Sequence, residues 1–138
     1  AAKMLFGCIP EGTEIDTPKG PRPIESLQVG DIVFGYSGAP VRVLQKHAYL
    51  EQPEPERFYH ITFENGATVH LTDLHRIMGT RARDLEPGDK IGKLTVASTD
   101  TYNGVHRSYD LLTEDEGYRI QGVPVNSMID EMKNAKVR

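Results

Sequence analysis

The chain has 138 residues, 38% of them hydrophobic and 26% charged, with a formal net charge of -4. This composition is typical of a single soluble globular domain with a buried core. The negative charge argues against a basic nucleic-acid surface, and no apolar run approaches the ~20 residues of a membrane span, so we expect a monomer with no nucleic-acid and no membrane partner.

A short lead-in, residues 1–7, precedes the only cysteine, Cys8. A single cysteine forms neither an internal disulfide nor a metal-binding cysteine pair. The apolar stretch at residues 4–6 is too short for the core of a signal peptide. These features do not identify a cellular compartment. A free thiol is compatible with the cytoplasm.

Short segments of alternating apolar residues follow, separated by turn residues, and they predict an all-β domain. The Asn65-Gly66 step is typical of a two-residue hairpin turn of type I′. The proline-bearing residues 51–56 predict a surface loop. The predicted strands are Glu14–Thr17, Asp31–Gly35, Val41–Leu50, Phe58–Phe63, Thr68–Thr72, Lys90–Gly92, Val96–Ser98, Ser108–Leu112 and Tyr118–Ile120.

The end of the chain has a different pattern. Met128, Ile129 and Met132 fall on one face of a helix. Ser127 with Asp130 three residues later is similar to a capping box. Residues 127–138 therefore predict a short C-terminal helix.

The sequence contains one internal repeat. Residues 24–33 and 82–91 both contain a leucine followed by a Gly-Asp turn and an isoleucine, and Leu27 and Leu85 are 58 positions apart. A solenoid needs at least three repeats. The pair instead indicates a β-domain with pseudo-twofold symmetry.

The region from Cys8 to Gly35 resembles the opening block of the Hint family, the hedgehog and intein self-processing domains, and in particular its bacterial intein-like members. In that block a cysteine is followed by Gly-Thr, a Pro-x-Gly turn, an Ile-Glu-x-Leu step and Gly-Asp-x-Val. The matching residues are Cys8, Gly12-Thr13, Pro18-Lys19-Gly20, Ile24-Glu25-Ser26-Leu27 and Gly30-Asp31-Ile32-Val33. The resemblance implies a flat horseshoe of β-hairpins over residues 8–126, flanked by residues 1–7 and 127–138.

The resemblance also implies a nucleophile. Cys8 alone has the alternative of being a small buried hydrophobic residue. In the family, such a cysteine attacks the carbonyl of the preceding residue, here Gly7, in an N-to-S acyl shift that gives a thioester. The family's Thr-x-x-His motif is matched by Thr72 and His75. Without the resemblance, His75 would be interpreted as an ordinary histidine at a strand end. As part of the motif, His75 would protonate the leaving amide, and Thr72 would orient that amide or hold the oxyanion.

A later aromatic-Asp-Leu block of the family is matched around Asp110, which would assist proton movements at Cys8. The alternative is a charged residue at a strand end with a surface contact. No cofactor is implied. Among the other histidines, His60 and His70 face each other if the predicted hairpin forms, which leaves a metal site there as a minor alternative.

Asn126-Ser127 resembles the C-terminal junction of inteins, where asparagine cyclises and the next residue accepts the acyl group. Two histidines usual near that junction are missing, because Val125 occupies one position and Glu116-Gly117 the other. We therefore expect the cut after Asn126 to be the slower one. The alternative is a turn residue at Asn126 and a helix N-cap at Ser127.

Together these residues predict a single-turnover, intein-like autoprocessing domain. Its partners would be the covalently linked flanking segments, and its products would come from N-terminal cleavage at Gly7-Cys8 or from splicing. The competing interpretation is a Hint-fold module that has lost processing and serves a structural or interaction role. No metal or other cofactor enters either interpretation.

Overall fold

The computed structural model describes residues 7–50, 54–104 and 107–129. Over these residues the chain is built from short antiparallel strands, as the alternating pattern predicts, with single 3-10 turns at Ile24–Ser26 and Ala82–Asp84. The strands are β1 (Ile9–Pro10), β2 (Glu14–Ile15), β3 (Arg22–Pro23), β4 (Ile32–Phe34), β5 (Pro40–Tyr49), β6 (Glu56–Phe63), β7 (Thr68–Thr72), β8 (Arg76–Ile77), β9 (Thr80–Arg81), β10 (Lys90–Ile91), β11 (Leu94–Gly104), β12 (Ser108–Thr113), β13 (Gly117–Ile120) and β14 (Val123–Asn126). The all-β prediction is confirmed. The predicted C-terminal helix falls mostly on residues 130–138, which lie outside the described residues.

Two four-stranded sheets have the same organisation. One has the strand order β1-β12-β5-β4, and the other, taken from its opposite edge, has the order β7-β6-β11-β10. A third sheet, β13-β14-β8-β9, and the β2-β3 pair complete the fold. The long strands β5 and β11 therefore occupy equivalent places in two related halves.

Backbone hydrogen bonds confirm the pseudo-twofold that the internal repeat predicts. The Gly30 N–H donates to the Val43 carbonyl at 2.8 Å, and the Gly88 N–H donates to the Val96 carbonyl at the same distance. In both repeats the aspartate after the glycine accepts a side-chain hydrogen bond from the N–H three residues before it, at 2.9 Å for Asp31 and 2.8 Å for Asp89. The two Gly-Asp steps are thus the same structural unit used twice.

The predicted hairpin between β6 and β7 is confirmed, but the predicted turn type is wrong. Only Gly66 has a positive φ, at 90°, and Asn65 does not. Because the Phe63 N–H bonds to the Ala67 carbonyl and the Gly66 N–H bonds to the Phe63 carbonyl, the loop has three residues and ends in a glycine bulge. The Asn65 side chain instead accepts the Ala67 N–H.

Two-residue turns occur elsewhere, at positions that contain no Asn-Gly pair. Met78 and Gly79 join β8 to β9 with φ values of 46° and 85°. Gln121 and Gly122 join β13 to β14 with φ values of 50° and 81°. Both central residues of each turn have positive φ, which is the type I′ pattern. The Met78-Gly79 turn contacts Asn126, a residue of the site described below.

The core lies between the curled sheets and is closed by side chains from both halves. The first residues of the domain are part of it, so the N-terminal strand is held in the interior rather than along an exposed edge. Fully buried core members include Ile9, Ile15, Phe63, Leu71, Ile77 and Tyr118. The part of the chain that the structure describes contains no helix capable of crossing a bilayer.

We predict that Gly30→Ala and Gly88→Ala each destabilise the domain by about 1–2 kcal/mol, because a residue with a β-carbon is strained in the left-handed region. The φ values are 95° and 93°, and a β-carbon at either position meets no atom within 4 Å. Urea unfolding of the two variants should give equal losses, with Val29→Ala, an exposed neighbour, as the near-neutral control. Clearly unequal losses would contradict the equivalence of the two repeats.

Candidate active site

The first element of the site is the buried backbone of Cys8, which immediately precedes β1. Cys8 is 0% exposed. Its N–H donates to the Thr72 Oγ1 at 2.8 Å, and its carbonyl accepts the Thr72 N–H at 3.1 Å. Thr72, at the end of β7, therefore pairs with both the backbone N–H and the backbone carbonyl of Cys8. Of the two roles that the motif allows for Thr72, this geometry favours orienting the amide.

His75 lies against Gly7, the residue that precedes Cys8. A tight turn places it there, since the His75 N–H donates to the Thr72 carbonyl at 3.1 Å. A β-carbon built on Gly7 would be 2.8 Å from the His75 Cα and 2.9 Å from its Nδ1, and the φ of Gly7 is +118°. Only glycine fits this position, because the imidazole occupies the space that a side chain would need.

The two nitrogens of His75 face two distant parts of the chain, Gly7 and Asn126. Nε2 is 2.7 Å from the carbonyl oxygen of Asn126, so this nitrogen carries the hydrogen and donates it. Nδ1 is buried and has no hydrogen-bond partner among the described residues. Burial lowers the pKa of His75 to about 4, although the Asn126 carbonyl partly offsets that shift. The ring is therefore neutral at pH 7, with a free lone pair on Nδ1 beside Gly7.

Asp110, in the middle of β12, is the buried acid of the site. It is 0% exposed, and its carboxylate accepts hydrogen bonds from the Tyr118 hydroxyl at 2.6 Å, the Met128 N–H at 2.6 Å and the Leu111 N–H at 2.9 Å. Burial raises the pKa of Asp110 to about 7, against the lowering effect of these three donors. The carboxyl therefore exchanges its proton near neutral pH, which suits a proton carrier.

The Cys8 thiol is kept protonated by its surroundings. Burial and then the charge of Asp110 raise the pKa of Cys8 well above its usual value, and a hydrogen bond with Ser108 opposes them. A thiolate is the nucleophilic form of cysteine. Any nucleophilic reaction of Cys8 would therefore require a base, and His75 and Asp110 are both fully buried candidates for it.

Asn126 is the last residue of β14, so its predicted alternative role as a turn residue is wrong. It pairs with Gly117 across the β13–β14 hairpin. Its side-chain Oδ1 accepts the Gly79 N–H from the β8–β9 turn at 2.8 Å. The Ser127 N–H donates to the Glu116 carbonyl at 2.9 Å, and the Ser127 Oγ is buried without a hydrogen-bond partner among the described residues. The N-cap bond predicted for Ser127 as an alternative is therefore absent there.

At the two positions that lack the usual histidines, the surroundings leave no room for another proton-donating side chain directed at Asn126. Val125 is fully buried in the core. A β-carbon on Gly117 would be 2.7 Å from both the Tyr36 Cβ and the Val125 carbonyl oxygen, and Glu116 is exposed. Neither β13 nor the residue before Asn126 directs a proton donor at this junction.

The structure thus brings together all the residues predicted from the motifs. Gly7, Cys8, Thr72 and His75 form one contact group, and His75 connects it to Asn126. Asp110 joins through Cys8 and through the backbone beyond Ser127. Sequence reasoning missed four contributors, namely Tyr118, Ser108, the Gly79 N–H and the Met128 N–H. Of these four, Tyr118 and Ser108 have side chains that the sequence itself shows as possible hydrogen-bond partners, and Tyr118 lies eight positions after Asp110.

A family model described as Hint domain matches residues 7–78, just over half of the chain. The chain belongs to the Hint domain family. No curated protein is significantly similar to it in sequence.

Solved structures show that this Hint domain has the intein fold. The solution structure of a bacterial intein-like domain from Clostridium thermocellum has a TM-score of 0.73 and 21% identity, covering 87% of this chain and 97% of that one. The gp41-1 intein has a TM-score of 0.72 and 18% identity, covering 88% of this chain and 98% of that one. A DnaB intein from Synechocystis sp. PCC 6803 has a TM-score of 0.71 and 16% identity, covering 88% and 98%.

His60 and His70 do face each other across the β6–β7 hairpin, as predicted. They are register partners, and their rings stack with centroids 4.2 Å apart. Tyr109 pairs with Ile9 in one half of this Hint domain, and Tyr59 pairs with Leu71 in the other. His60 and His70, one position beyond that second pair, are therefore the pseudo-symmetric counterparts of Asp110 and Cys8.

The described residues contain no group of three or more His, Cys, Asp or Glu side chains placed to hold a metal ion. A cavity of about 490 Å³ lies beside β1 and includes His70, Tyr102, Glu11 and Asp16 in its lining. It does not include Cys8, His75 or Asn126. Cys8, Thr72, His75 and Asp110 are all at most 1% exposed, so the candidate active site is a buried cluster.

We predict that Tyr118→Phe raises the pKa of Asp110 further above 7, because the tyrosine hydroxyl stabilises the ionised carboxylate. The measurement is an NMR titration of the Asp110 carboxyl carbon in a Cys8→Ala chain. Tyr109→Phe is the matched control, since that hydroxyl bonds to Glu11 instead. An unchanged or lower Asp110 pKa in Tyr118→Phe would be inconsistent with this contact.

We also predict that Thr72→Val destabilises a Cys8→Ala chain by about 1–3 kcal/mol, because it leaves the buried N–H of residue 8 without an acceptor. Thr72→Ser keeps the hydroxyl and should lose less. Urea unfolding with well-resolved baselines measures both values. The interpretation would be wrong if the serine variant were as unstable as the valine variant.

Proposed function

We propose that this Hint domain is an intein-like autoprocessing domain whose substrate is its own backbone at Gly7-Cys8. The observation that carries the proposal is the enclosure of that peptide bond. Thr72 accepts its N–H, Gly7 has no side chain, and the unpartnered Nδ1 of His75 lies on the side of Gly7 where a side chain would be. A buried peptide bond next to its own nucleophile and a free base is poorly explained by packing alone.

The first step is an N-to-S acyl shift. The Cys8 sulfur bonds to the Gly7 carbonyl carbon, the bond from that carbon to the Cys8 nitrogen breaks, and the thiol proton moves to the nitrogen. His75 suits the transfer, because its Nδ1 can accept the proton and return it to the leaving amine. Asp110, with a pKa of about 7, assists by sharing protons with the thiol. The product is a thioester on Cys8 and a free amino group.

The thioester then has two fates. Water or an added thiol cleaves it and releases the segment that ends at Gly7. Alternatively the Ser127 hydroxyl accepts the acyl group and Asn126 cyclises, which joins the two flanking segments. The residues that would be spliced or released are covalent neighbours of the domain, so its partners are the segments on either side.

We predict that incubating the chain with dithiothreitol removes residues 1–7. Cys8→Ala should abolish this loss, and His75→Ala should slow it by about 10²–10⁴-fold, the usual contribution of general acid–base catalysis. Asn126→Ala should leave it unchanged. The measurement is an intact-mass time course, with a reporter domain fused ahead of Ala1 to make the mass change large.

The same experiment distinguishes the competing interpretations. Splicing joins the reporter to the segment after Asn126, whereas N-terminal cleavage releases the reporter alone. A constant mass over days in thiol, with the fold intact by circular dichroism, would identify a structural module without processing activity.

A further inference from the structure

Both oxygen atoms of Asn126 are held by hydrogen-bond donors from the β7–β9 region. The main-chain oxygen accepts the His75 Nε2–H at 2.7 Å. The side-chain Oδ1 accepts the Gly79 N–H at 2.8 Å. Neither donor comes from Val125 or Glu116-Gly117, the positions where the histidines usual in inteins are missing. The C-terminal junction therefore has donors that the sequence did not reveal.

These contacts match the chemical needs of asparagine cyclisation. In that step the Asn126 Nδ2 attacks its own carbonyl carbon, the bond to the Ser127 nitrogen breaks, and one Nδ2 proton is transferred to that nitrogen. Negative charge develops on the main-chain oxygen of Asn126 before the bond breaks. A preorganised N–H directed at that oxygen stabilises the charge most effectively in a buried site.

We propose that His75 is the electrophilic catalyst of the C-terminal junction as well as the proton carrier of the N-terminal one, and that Gly79 orients the Asn126 side chain. The inference rests on the autoprocessing function proposed above. It supplies a donor at the junction where the usual histidines are missing, and the expectation that the cut after Asn126 is the slower one stays a prediction.

The β8–β9 turn is built to present the Gly79 N–H. Met78 has a φ of 46° and Gly79 a φ of 85°. Both values are those of a type I′ turn, so the turn type fixes the direction of the Gly79 N–H. With Oδ1 bound to Gly79, the Nδ2 of Asn126 is the end of the amide left to act as nucleophile.

Because one imidazole serves both junctions, the steps are linked through its protonation state. When the Nδ1 accepts a proton at Gly7-Cys8, the ring becomes cationic and its Nε2–H becomes a stronger donor to Asn126. When the ring is neutral, the Nε2–H still polarises the carbonyl. Loss of His75 should therefore affect both cuts, whereas loss of Cys8 should leave the second one chemically possible.

The test measures scission after Asn126 in a Cys8→Ala chain carrying a reporter domain after Arg138, so that the N-terminal step is absent. We expect release of the reporter over hours to days. Adding His75→Ala should slow it by about 10²–10³-fold, the usual effect of losing one oxyanion donor. His75→Gln, whose side-chain amide also donates, should recover part of the rate. His70→Ala is the matched control and should keep the Cys8→Ala rate.

A second measurement does not depend on the folding of any His75 variant. Long-range ¹⁵N–¹H spectra of the Cys8→Ala chain at pH 7 should show His75 neutral with the proton on Nε2. The Gly79 amide should lose hydrogen-exchange protection in Asn126→Ala. A proton on Nδ1 would overturn the inference.

Three kinetic outcomes would also overturn it. They are an unchanged rate in His75→Ala, equal rates in folded His75→Ala and His75→Gln, and no scission in Cys8→Ala while the parent still loses residues 1–7 in thiol. The last result would leave the proposed function intact. Absence of both cuts in the parent would remove the proposed function and this inference together.

Discussion

The requirement that buried backbone groups be paired shapes this domain at its first strand. Cys8 lies where the two pseudo-symmetric halves meet, with β1 paired to β12 on one side and Thr72 of β7 on the other. A buried N–H or carbonyl left without a partner costs as much as a lost hydrogen bond. By pairing with both backbone groups of Cys8, Thr72 removes this cost from the burial of the N-terminal strand. The peptide bond to Gly7 is held in place by the same contacts.

Asp110 and His75 change the stability of the domain in opposite directions as the pH changes. Asp110 has a folded-state pKa raised to about 7, so folding favours its protonated form and the domain loses stability as pH rises from about 4 to 7. His75 has a folded-state pKa lowered to about 4, so the domain loses stability as pH falls from about 6.5 to 4. Near neutrality the site thus holds a neutral imidazole at His75 and a carboxyl at Asp110 that is about half ionised.

Much of the architecture was predictable because its signals are local and chemical. The Gly-Asp steps at Gly30 and Gly88 need positive φ, and the repeat around them gave the pseudo-twofold. Cys8, Thr72, His75 and Asp110 carry side-chain chemistry at spacings similar to those of a known family. The Asn65-Gly66 hairpin was located correctly, but its turn type was wrong because the Asn65 side chain bonds to the backbone in a three-residue loop.

The remaining contributors could not be predicted, for a physical reason. The Gly79 N–H and the Met128 N–H act through the backbone, which has no residue signature. Their place in the site depends on the β8–β9 turn and on where the chain runs after β14. The second contact of His75, with Asn126, depends on the packing of β14 against β8. Such contacts exist only in the assembled fold.

The bond from the Met128 N–H to the buried Asp110 carboxylate also has a consequence for timing during synthesis. Cys8 leaves the ribosome first, but its proton-exchanging neighbour is completed only by a backbone group 120 positions later. Most contacts of the domain are between distant parts of the chain, which slows folding. A nascent chain that ends before this region therefore carries Cys8 without its buried surroundings. On the function proposed above, processing would begin only after the last strands of the domain have been made.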